Sequence, residues 1–546
     1  MKTDVKSAMA DIIKNEEIEY IFGYTGGHIM HLWEAVNQAG LKLILNKQEG
    51  NAVYMADGFA RITKKPSVIL ATAGPGSTNM TTGLATAYLD SIPLIAIGAN
   101  VSTSSFGRNA LQDSSGRGRA IEQRLVFKAV CKQAMLAPSP QAVPLMVQEA
   151  FRTAVSGRPG PVYIEIPVDF WKEKIDYQRI KPDRYKNSNL PDCPSKDSQK
   201  IYQRLFKAQK PLVIIGEGAL EPDIQKALKK FLNNTGVPFG VSPMGKNAID
   251  EYDYLYLGVA RSIGKTQKIY EYMKQSDFIL FLGDRMQEWE TDWYNQSLIK
   301  KAVLAQVESD YQEIGRVFPV NLSVVGSIAS FLIQAPEKSH PKADKLKKLV
   351  RTLRQKYPRI KRIPDKDGIS PLNLNNIVEE RASKDASIVC DTGYAKSMAI
   401  LKYRTRLNQS FITADKNGPM GYSVPAALGV ALATGKETIC FVGDGGFQMT
   451  LNELGTAMNY NLKVIYIIEN NGGCASIVNF HTKTYGHYCA ADFKNPDYAD
   501  LAKSYEMEGF RVETSQEFER AFLKAQKSQK SAIIDAKLNQ KLMIWE

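Results

Sequence analysis

Short apolar runs alternate with longer amphipathic stretches along most of the chain. In the first part, stretches with the 3.6-residue apolar spacing of helices separate the runs YIFGYTG, LKLILN, SVILATAG, PLIAIGAN and PVYIEIP. Continuous apolar runs of this length are typical of parallel strands that are buried on both faces of a sheet. The pattern therefore predicts an α/β domain over residues 1–180.

The same alternation recurs twice more. After the polar, proline-containing stretch KPDRYKNSNLPDCPSKDS, which we interpret as a linker, come PLVIIGEGAL, VPFGVSP, DFILFLGDR and KAVLAQVESD. A third series contains ASIVCDTG, SFITAD, ETICFVGDGG, VIYIIENNGG and SAIIDAKL. We therefore predict a central domain at 195–335 and a third at 365–546. The 546 residues then form three Rossmann-like α/β domains with mainly parallel sheets, close to roughly 150 residues for each domain.

Two glycine-rich polar groups end neighbouring predicted strands of the third domain. GDGG follows ETICFV, NNGG follows VIYIIE, and the helix-period segment NELGTAMNY lies between them. A right-handed β-α-β unit brings the carboxyl ends of its two strands to one edge of the sheet. We therefore expect Asp444 and Asn471 to face one another.

This edge offers the oxygen ligands that a hard divalent cation prefers. Asp444 provides a carboxylate, Asn471 an amide oxygen and Gly473 a backbone carbonyl, and phosphate oxygens and water can complete the shell. Either group alone is compatible with an ordinary turn at the end of a strand. The pair within one β-α-β unit is more specific and favours a site for a hard divalent cation that bridges two phosphates.

The GDG and NN groups at this spacing resemble the signature of thiamine-diphosphate-dependent enzymes. The domain order is also similar to the pyrimidine-binding, central and diphosphate-binding order of the acetolactate synthase, benzaldehyde lyase and pyruvate oxidase group. This resemblance covers essentially the whole chain and implies thiamine diphosphate and Mg²⁺ as cofactors, with the metal on Asp444, Asn471 and Gly473. The implied contacts to the diphosphate are Gly443, Gly445 and Gly446, together with Thr392, Gly393 and Tyr394 after Asp391.

The resemblance also implies an activating glutamate in the first domain. The segment NKQEGNAVYMADGFAR places Glu49 at the start of a helix. A glutamate there could simply be stabilised by the helix dipole. In the family, this carboxyl hydrogen-bonds N1′ of the cofactor's pyrimidine and favours its imino form, so that the cofactor's own amino group can deprotonate the thiazolium carbon C2.

Two further segments match parts of the family's cofactor site. In GPMGYSVPAALG, Gly418 and Met420 match the segment whose bulky apolar residue folds the two cofactor rings together, although a methionine can equally be core packing. ATAGPGSTN resembles the family's Gly-Pro-Gly loop near the aminopyrimidine, and an ordinary strand-to-helix turn is the alternative. The implied cofactor contacts are Gly74, Pro75 and Asn79 of this loop, together with Gly26 of FGYTGG.

The residues expected around the substrate do not all match acetolactate synthase. TTGLATAYLDSIPLIAIGANV resembles that enzyme, but GDRMQEW keeps only Arg285 and has Trp289 in place of a second arginine. Phe480 stands where that enzyme selects its acceptor with a tryptophan, in a pocket that would include Cys474 and Ile477. His28 and Gln112 instead match a histidine and a glutamine of benzaldehyde lyase, and acetolactate synthase shares the glutamine.

From these matches we predict a carboligase or lyase with Glu49, His28 and Gln112 as catalytic residues. The C2 ylide of the cofactor would attack a 2-oxo acid or an acyloin, CO₂ or an aldehyde would leave, and the resulting acyl anion would pass to an aldehyde or ketone. Acetolactate synthase and an FAD-dependent enzyme like pyruvate oxidase are the alternatives. FAD itself is not predicted, although the sequence leaves its binding open. A cofactor-binding scaffold without turnover is disfavoured because Glu49 accompanies the metal ligands.

Composition indicates an ordinary globular enzyme. Hydrophobic content is 44% and charge 23%, no apolar run has membrane length, and MKTDVKSAMADIIKNEE reads as an amphipathic helix and not as a signal peptide. The net charge of +13 is spread along helices such as KADKLKKLVRTLRQKYPRIKR, without interleaved aromatic residues. The six cysteines form no Cys-x-x-Cys pair. We expect a cytoplasmic protein without nucleic-acid or membrane partners, and the family implies a homodimer or homotetramer.

Overall fold

The computed structural model describes residues 2–187, 189–261 and 267–538, so the predicted ends of the first and third domains, residue 1 and residues 539–546, lie outside the described residues. The described residues form three six-stranded parallel sheets and one two-stranded antiparallel ribbon. The predicted three-domain α/β architecture with mainly parallel sheets is confirmed. None of the helices in the described part of the chain is long and apolar enough to span a membrane.

The first sheet has the strand order β3-β2-β4-β5-β7-β6, and β1 pairs with β8 in the ribbon. The strands of the first domain, including the two of the ribbon, are β1 Lys2–Asp4, β2 Tyr20–Gly23, β3 Lys42–Leu45, β4 Ser67–Ala71, β5 Leu94–Asn100, β6 Gln133–Leu136, β7 Val162–Pro167 and β8 Lys174–Asp176. Its helices are α1 Val5–Asn15, α2 Met30–Gln38, α3 Glu49–Thr63, α4 Pro75–Thr78, α5 Thr81–Asp90, α6 Gln123–Lys128 and α7 Val143–Val155. Alternate residues of β4 enter two different hydrophobic clusters, because both faces of the sheet are covered.

The central sheet has the order β11-β10-β9-β12-β13-β14. Its strands are β9 Pro211–Ile215, β10 Phe239–Val241, β11 Tyr256–Val259, β12 Phe278–Leu282, β13 Val303–Glu308 and β14 Leu322–Val325. The helices of this part are α8 Ser195–Lys207, α9 Pro222–Thr235, α10 Gln267–Met273, α11 Ile328–Ile333 and α12 Ala343–Lys356.

The third sheet has the order β16-β15-β17-β18-β20-β19. Its strands are β15 Ser387–Cys390, β16 Ser410–Thr413, β17 Thr438–Gly443, β18 Ile465–Asn470, β19 Glu508–Val512 and β20 Ala532–Lys537. Its helices are α13 Pro371–Arg381, α14 Tyr394–Lys402, α15 Ser423–Thr434, α16 Asp444–Thr450, α17 Leu454–Asn459, α18 Ala475–Tyr485, α19 Tyr498–Ser504 and α20 Ser515–Lys527.

Every predicted apolar run contains a strand, but four strands of the three sheets, β6, β11, β14 and β19, were not predicted. All four lie at sheet edges. Three of them, β6, β14 and β19, are only partly buried, so their apolar signal in the sequence is weaker. The stretch predicted as a linker is also held to the first domain, since Tyr185 and Lys186 both bond to the carboxylate of Glu16.

The first and third domains meet where α3 crosses α15. A Cβ atom added to Gly429 would lie 1.9 Å from the carbonyl oxygen of Met55, and one added to Gly58 would lie 2.3 Å from that of Ala426. The two helix backbones therefore touch at positions where only glycine fits. The start of α3 also lies against the segment that follows α16, since Asn51 donates to Asn452.

We predict that Gly429→Ala destabilises the protein by about 1–3 kcal/mol, because the new methyl group forces the crossing apart. Urea denaturation measures the change. The matched control is Gly27→Ala, since no atom lies within 4 Å of a Cβ added there. Equal stability of the two variants would contradict the close crossing.

Candidate active site

Asp444 joins the two glycine-rich groups of the third domain. It is the first residue of α16, directly after β17, and it is only 1% exposed. Its Oδ2 atom accepts hydrogen bonds from the backbone N–H of Asn471 at 3.2 Å and of Gly472 at 2.7 Å. The Asn495 side chain donates to the same oxygen at 2.8 Å. The structure thus brings Asp444 and Asn471 together at one edge of the sheet.

The donor set at this edge fits a hard cation. The Oδ1 atom of Asn471 accepts from the Gly473 N–H at 3.2 Å, so the amide oxygen and the carbonyl of Gly473 belong to one turn, and the Asp444 carboxylate is hydrogen-bonded to that turn. Among the described residues, no three His, Cys, Asp or Glu side chains come close enough to hold a metal. A cation here would therefore be held by one carboxylate and neutral oxygens, a combination that Mg²⁺ accepts when phosphates complete its shell.

A second buried acid lies beside Asp444. Glu469 is 1% exposed, and neither of its carboxylate oxygens has a hydrogen-bond partner among the described residues. Burial, and then the nearby charge of Asp444, raise the pKa of Glu469 to about 8. The protonated form therefore dominates at pH 7, and Glu469 adds little negative charge to the predicted metal site.

Asp391 holds three of the predicted cofactor segments together. Its Oδ2 atom accepts from the Gly421 N–H at 2.9 Å, and a Cβ atom added to Gly446 would lie 2.0 Å from that same oxygen. The loop after β15 therefore touches both the 418–421 segment and the 443–446 turn. Burial raises the pKa of Asp391 to about 6. Sequence reasoning missed this role, for which the only signal was an aspartate directly after an apolar run.

Met420 projects from a loop that glycines shape. Gly418 and Gly421 have φ angles of +58° and +84°, which L side chains rarely adopt. The Met420 side chain is 37% exposed and lies against Gly445, where an added Cβ would be 3.2 Å from Cε. This exposure disfavours the alternative of core packing. It suits an apolar support for a bound ligand.

Gly393 and Tyr394 lie at the end of the 391–394 loop, where α14 begins. Gly393 has a φ angle of +90°, and an added Cβ would lie 4.0 Å from the hydroxyl of Ser476 at the start of α18. Thr392 lies near Gly418, since a Cβ added there would be 3.2 Å from its Oγ1 atom. The diphosphate segments and the start of α18 are therefore neighbours.

The predicted substrate residues lie at and along α18. Cys474 is partly buried, and its N–H donates to the carbonyl of Ala491 at 2.7 Å. Ile477 and Phe480 are each 46% exposed. The helix therefore presents apolar side chains outward from an end that adjoins the predicted diphosphate site.

Glu49 lies within a tight pocket of the first domain. It is the first residue of α3 and is 7% exposed. The Asn79 side chain donates to its Oε2 atom at 3.0 Å, and a Cβ atom added to Gly76 would lie 3.0 Å from its Oε1 atom. The loop of Gly74, Pro75 and Gly76 thus wraps around the carboxylate and positions it at the carboxyl end of the sheet.

Gln112 adjoins the same loop. A Cβ added to Gly74 would lie 3.1 Å from the Cβ of Gln112, whose φ angle of +65° is uncommon for a residue other than glycine. Gly26 packs on Thr72, the residue two before Gly74, at 2.5 Å from an added Cβ. Gly26, Gly74 and Gln112 therefore line one side of the pocket that contains Glu49.

His28 lies on the loop of Gly26. Its backbone carbonyl accepts from Trp171 Nε1 at 2.9 Å, which fixes the loop. Its Nδ1 atom is buried without a hydrogen-bond partner among the described residues. Within that part of the chain, no hydrogen bond connects the His28 ring to Glu49 or Gln112. The structure thus places His28 on the predicted loop without linking it to the other two residues.

Glu453 ties the first domain to the third. Its Oε1 atom accepts from the Lys47 N–H at 2.8 Å, and its Oε2 atom accepts from the Asn46 side chain at 3.2 Å. The Asn51 side chain also donates to Asn452 at 3.1 Å. The start of α3 is thereby fixed to the segment after α16. These contacts were not predicted, because a glutamate in a helix-period stretch usually lies on the surface.

The arginine of GDRMQEW is engaged within the chain. Arg285 pairs with Glu217 at 3.0 Å and donates to the hydroxyl of Ser91 at 2.7 Å. Trp289 packs on Trp293 with ring centroids 5.0 Å apart, and the guanidinium of Arg261 lies 5.8 Å from its ring. The expected acceptor contact that the sequence keeps, Arg285, therefore already has intramolecular partners, and Trp289 in the second position packs against neighbouring side chains.

Comparison with known proteins agrees with this arrangement. Three family models match the chain: the thiamine pyrophosphate enzyme N-terminal TPP binding domain at 3–117, the central domain at 198–335 and the C-terminal TPP binding domain at 391–536. The chain belongs to the thiamine pyrophosphate enzymes. The prediction of a thiamine-diphosphate-dependent carboligase or lyase is confirmed at the level of this enzyme class.

Similar proteins cover nearly the whole of this thiamine pyrophosphate enzyme. An acetolactate synthase of Arthrospira platensis is 30% identical, over 97% of this chain and 93% of that protein. An acetolactate synthase large subunit of Haemophilus influenzae is 30% identical, over 93% and 89% respectively. The large subunit of acetolactate synthase isozyme 3 of Escherichia coli is 28% identical, over 92% and 89%.

We predict that Asp444→Ala abolishes retention of thiamine diphosphate with Mg²⁺, because the variant loses the one carboxylate of the predicted metal site. Calorimetric titration of the protein with both ligands measures the affinity. Asp500→Ala is the matched control, since Asp500 is exposed in the same domain and pairs with Lys503 in a surface ion pair. Unchanged affinity of Asp444→Ala would show that the metal ligands are misassigned.

Proposed function

We propose that this enzyme joins or cleaves carbon–carbon bonds of 2-oxo acids and acyloins, and that it prefers aldehyde or ketone acceptors without a carboxylate. The observation that carries the choice of acceptor is the engagement of Arg285 by Glu217 and Ser91. In the same segment Trp289 replaces the second arginine of acetolactate synthase. A carboxylate acceptor would have to compete with Glu217 for the one guanidinium that remains.

In this proposal, Asp444, Asn471 and the carbonyl of Gly473 hold Mg²⁺, and the backbone around Gly445 and Thr392 holds the diphosphate. When bound, thiamine diphosphate supplies a nucleophilic carbon and an electron sink. The protein binds and orients it. Met420 supports the two rings, since it is exposed between two glycines that bend its loop.

Glu49 is proposed to hold a hydrogen bond to the pyrimidine N1′. Its burial and its single side-chain donor, Asn79, leave the carboxylate compact and restrained. His28 and Gln112 are proposed to hold and move protons at the hydroxyl of the acyloin. The unpartnered Nδ1 of His28 supports this role, because a buried ring nitrogen is costly to leave without a partner.

The active unit is proposed to contain at least two copies of the chain, with Glu49 of one copy facing Asp444 of the other. Large apolar side chains are exposed beside both halves of the site. Tyr24, Met30 and Leu111 flank His28 and Gln112, with 41%, 52% and 83% exposure. On the third domain, Phe480 of α18 is similarly exposed. Apolar groups clustered beside polar site residues are typical of a surface that another chain covers.

The central domain is proposed to need no flavin. In parallel sheets, dinucleotides bind at the carboxyl ends of the strands where the strand order reverses, here between β9 and β12. Asp284 and Glu308 are buried at that edge, where burial raises their pKa values to about 6 and 8. Gly216 also abuts Gly283, since an added Cβ would lie 2.1 Å from its carbonyl oxygen. Carboxyl groups and a closed backbone are poor partners for phosphates.

The domain boundaries that we propose remain 1–180, 195–335 and 365–546.

Acetolactate synthase is the second candidate. The similar proteins named above carry that name, and Gln112 is compatible with either activity. The two candidates differ in the acceptor, since acetolactate synthase would use a second 2-oxo acid. A bidentate contact to a carboxylate contributes about 1.5–3 kcal/mol. Its loss therefore weakens the preference for such an acceptor by roughly ten- to a hundredfold.

We predict that an aldehyde outcompetes pyruvate as acceptor when both are present at equal concentration with pyruvate as donor. Mass spectrometry of the products measures the ratio.

His28→Ala should slow carboligation on the order of a hundredfold, the usual contribution of a positioned acid or base, without weakening cofactor binding. His31→Ala, three residues further along, is the matched control and should leave the rate unchanged. If acetolactate is the main product and His28→Ala leaves the carboligation rate unchanged, the enzyme is instead an acetolactate synthase.

A further inference from the structure

A cavity of about 500 Å³ lies in the first domain at the carboxyl ends of β6 and β7, and no predicted site residue lines it. This volume is in the usual range for pockets that bind small molecules. The residues that matter for its chemistry are Ser114, Arg117, Glu122, Arg124, Leu136 and Glu165.

Glu165 lines the cavity with an unpartnered oxygen. The residue is 1% exposed and lies in β7. Its Oε1 atom accepts from the side chain of Asn100, whereas Oε2 has no hydrogen-bond partner among the described residues. Burial raises the pKa of Glu165 to about 8, so the carboxyl group is mostly protonated at pH 7. The neutral carboxyl group then adds no negative charge to the lining of the cavity.

Two guanidinium groups provide the charge of the cavity. Arg124 pairs with Glu122 at 2.8 Å, and Arg117 lies 5.9 Å from the ring centroid of Phe106. With Glu165 protonated, these groups leave the lining with one net positive charge. A guanidinium binds carboxylates through two parallel hydrogen bonds, and Leu136 supplies an apolar wall. A singly charged anion with an apolar body fits this combination.

Hydrogen bonds connect the lining of the cavity to the Gly74 loop, which contacts Glu49. Ser114 lines the cavity, and its hydroxyl accepts from the Gly74 N–H at 3.2 Å. The Ser114 N–H in turn donates to Asn100 at 3.2 Å, and Asn100 bonds Glu165. A ligand that reorients Glu165 or Ser114 would therefore act on the Gly74 loop that wraps Glu49.

We propose that this cavity is a second, non-catalytic binding site for a monocarboxylate with an apolar body, and that its occupancy changes the rate of the reaction through the Gly74 loop. The first half stands on the cavity alone. The second half rests on the proposed function, because it requires turnover and a substrate of the same chemical class as the bound acid.

The test uses 3-phenylpropanoate, which has no carbonyl carbon for the cofactor to attack, and the complete enzyme with thiamine diphosphate and Mg²⁺. Calorimetry should show binding to the wild type, weakened roughly ten- to a hundredfold in Arg124→Gln. Arg119→Gln removes an exposed arginine of the same loop that does not line the cavity, and it should bind like the wild type. His28→Ala should also bind like the wild type.

Absence of binding to the wild type would overturn the proposal, as would binding that His28→Ala weakens and Arg124→Gln does not. Carboligation rates with and without the probe test the second half. A change in the wild type that Arg124→Gln lacks supports it, and equal rates refute it. If Arg124-dependent binding occurs but no substrate is turned over, the cavity stands and the proposed function fails. If substrate is turned over but the probe does not bind, the proposed function stands and the cavity proposal fails.

Discussion

The crossing of α3 and α15 is the contact on which the geometry of the site depends. Gly58 and Gly429 let the two helix backbones touch, so the first and third domains have a fixed separation. Glu49 begins α3, and Gly421, held by Asp391, lies just before α15. Each chain therefore carries its Glu49 half and its Asp444 half on the same helix pair, and in the proposed assembly these two halves belong to two different sites. A shift at this crossing would displace both halves that the chain contributes.

Buried carboxyl groups have different consequences in the first and third domains. In the third domain, Asp444 accepts backbone N–H groups and presents oxygen to a cation, whereas Asp391 serves to hold three loops together. In the first domain, Glu49 is restrained by Asn79, and Glu165 has one oxygen free of protein partners among the described residues. The chemistry of each acid follows from its hydrogen-bond donors more than from its burial, which all four share.

Sequence patterns predicted the features of the fold that follow directly from parallel strands. Apolar runs predicted the interior strands, and the β-α-β rule predicted that Asp444 and Asn471 would meet, because both follow strands of one sheet. Edge strands such as β19 were missed because half-exposed strands carry a weak apolar signal. The contacts of Glu453 with Asn46 and Lys47 join residues about four hundred positions apart, and no local pattern encodes them. The cavity beside Glu165 was also missed, since a glutamate inside an apolar strand shows neither its partner nor the space beside it.

The most direct test asks whether each site combines Glu49 of one copy with Asp444 of another. Glu49→Gln and Asp444→Ala should each be inactive alone. When the two are mixed, refolded together and shown by native mass spectrometry to form mixed oligomers, a site shared between copies predicts that activity returns. In a mixed dimer one of the two sites then contains neither substitution. Mixed oligomers that form but stay inactive would show that each site is built from a single chain.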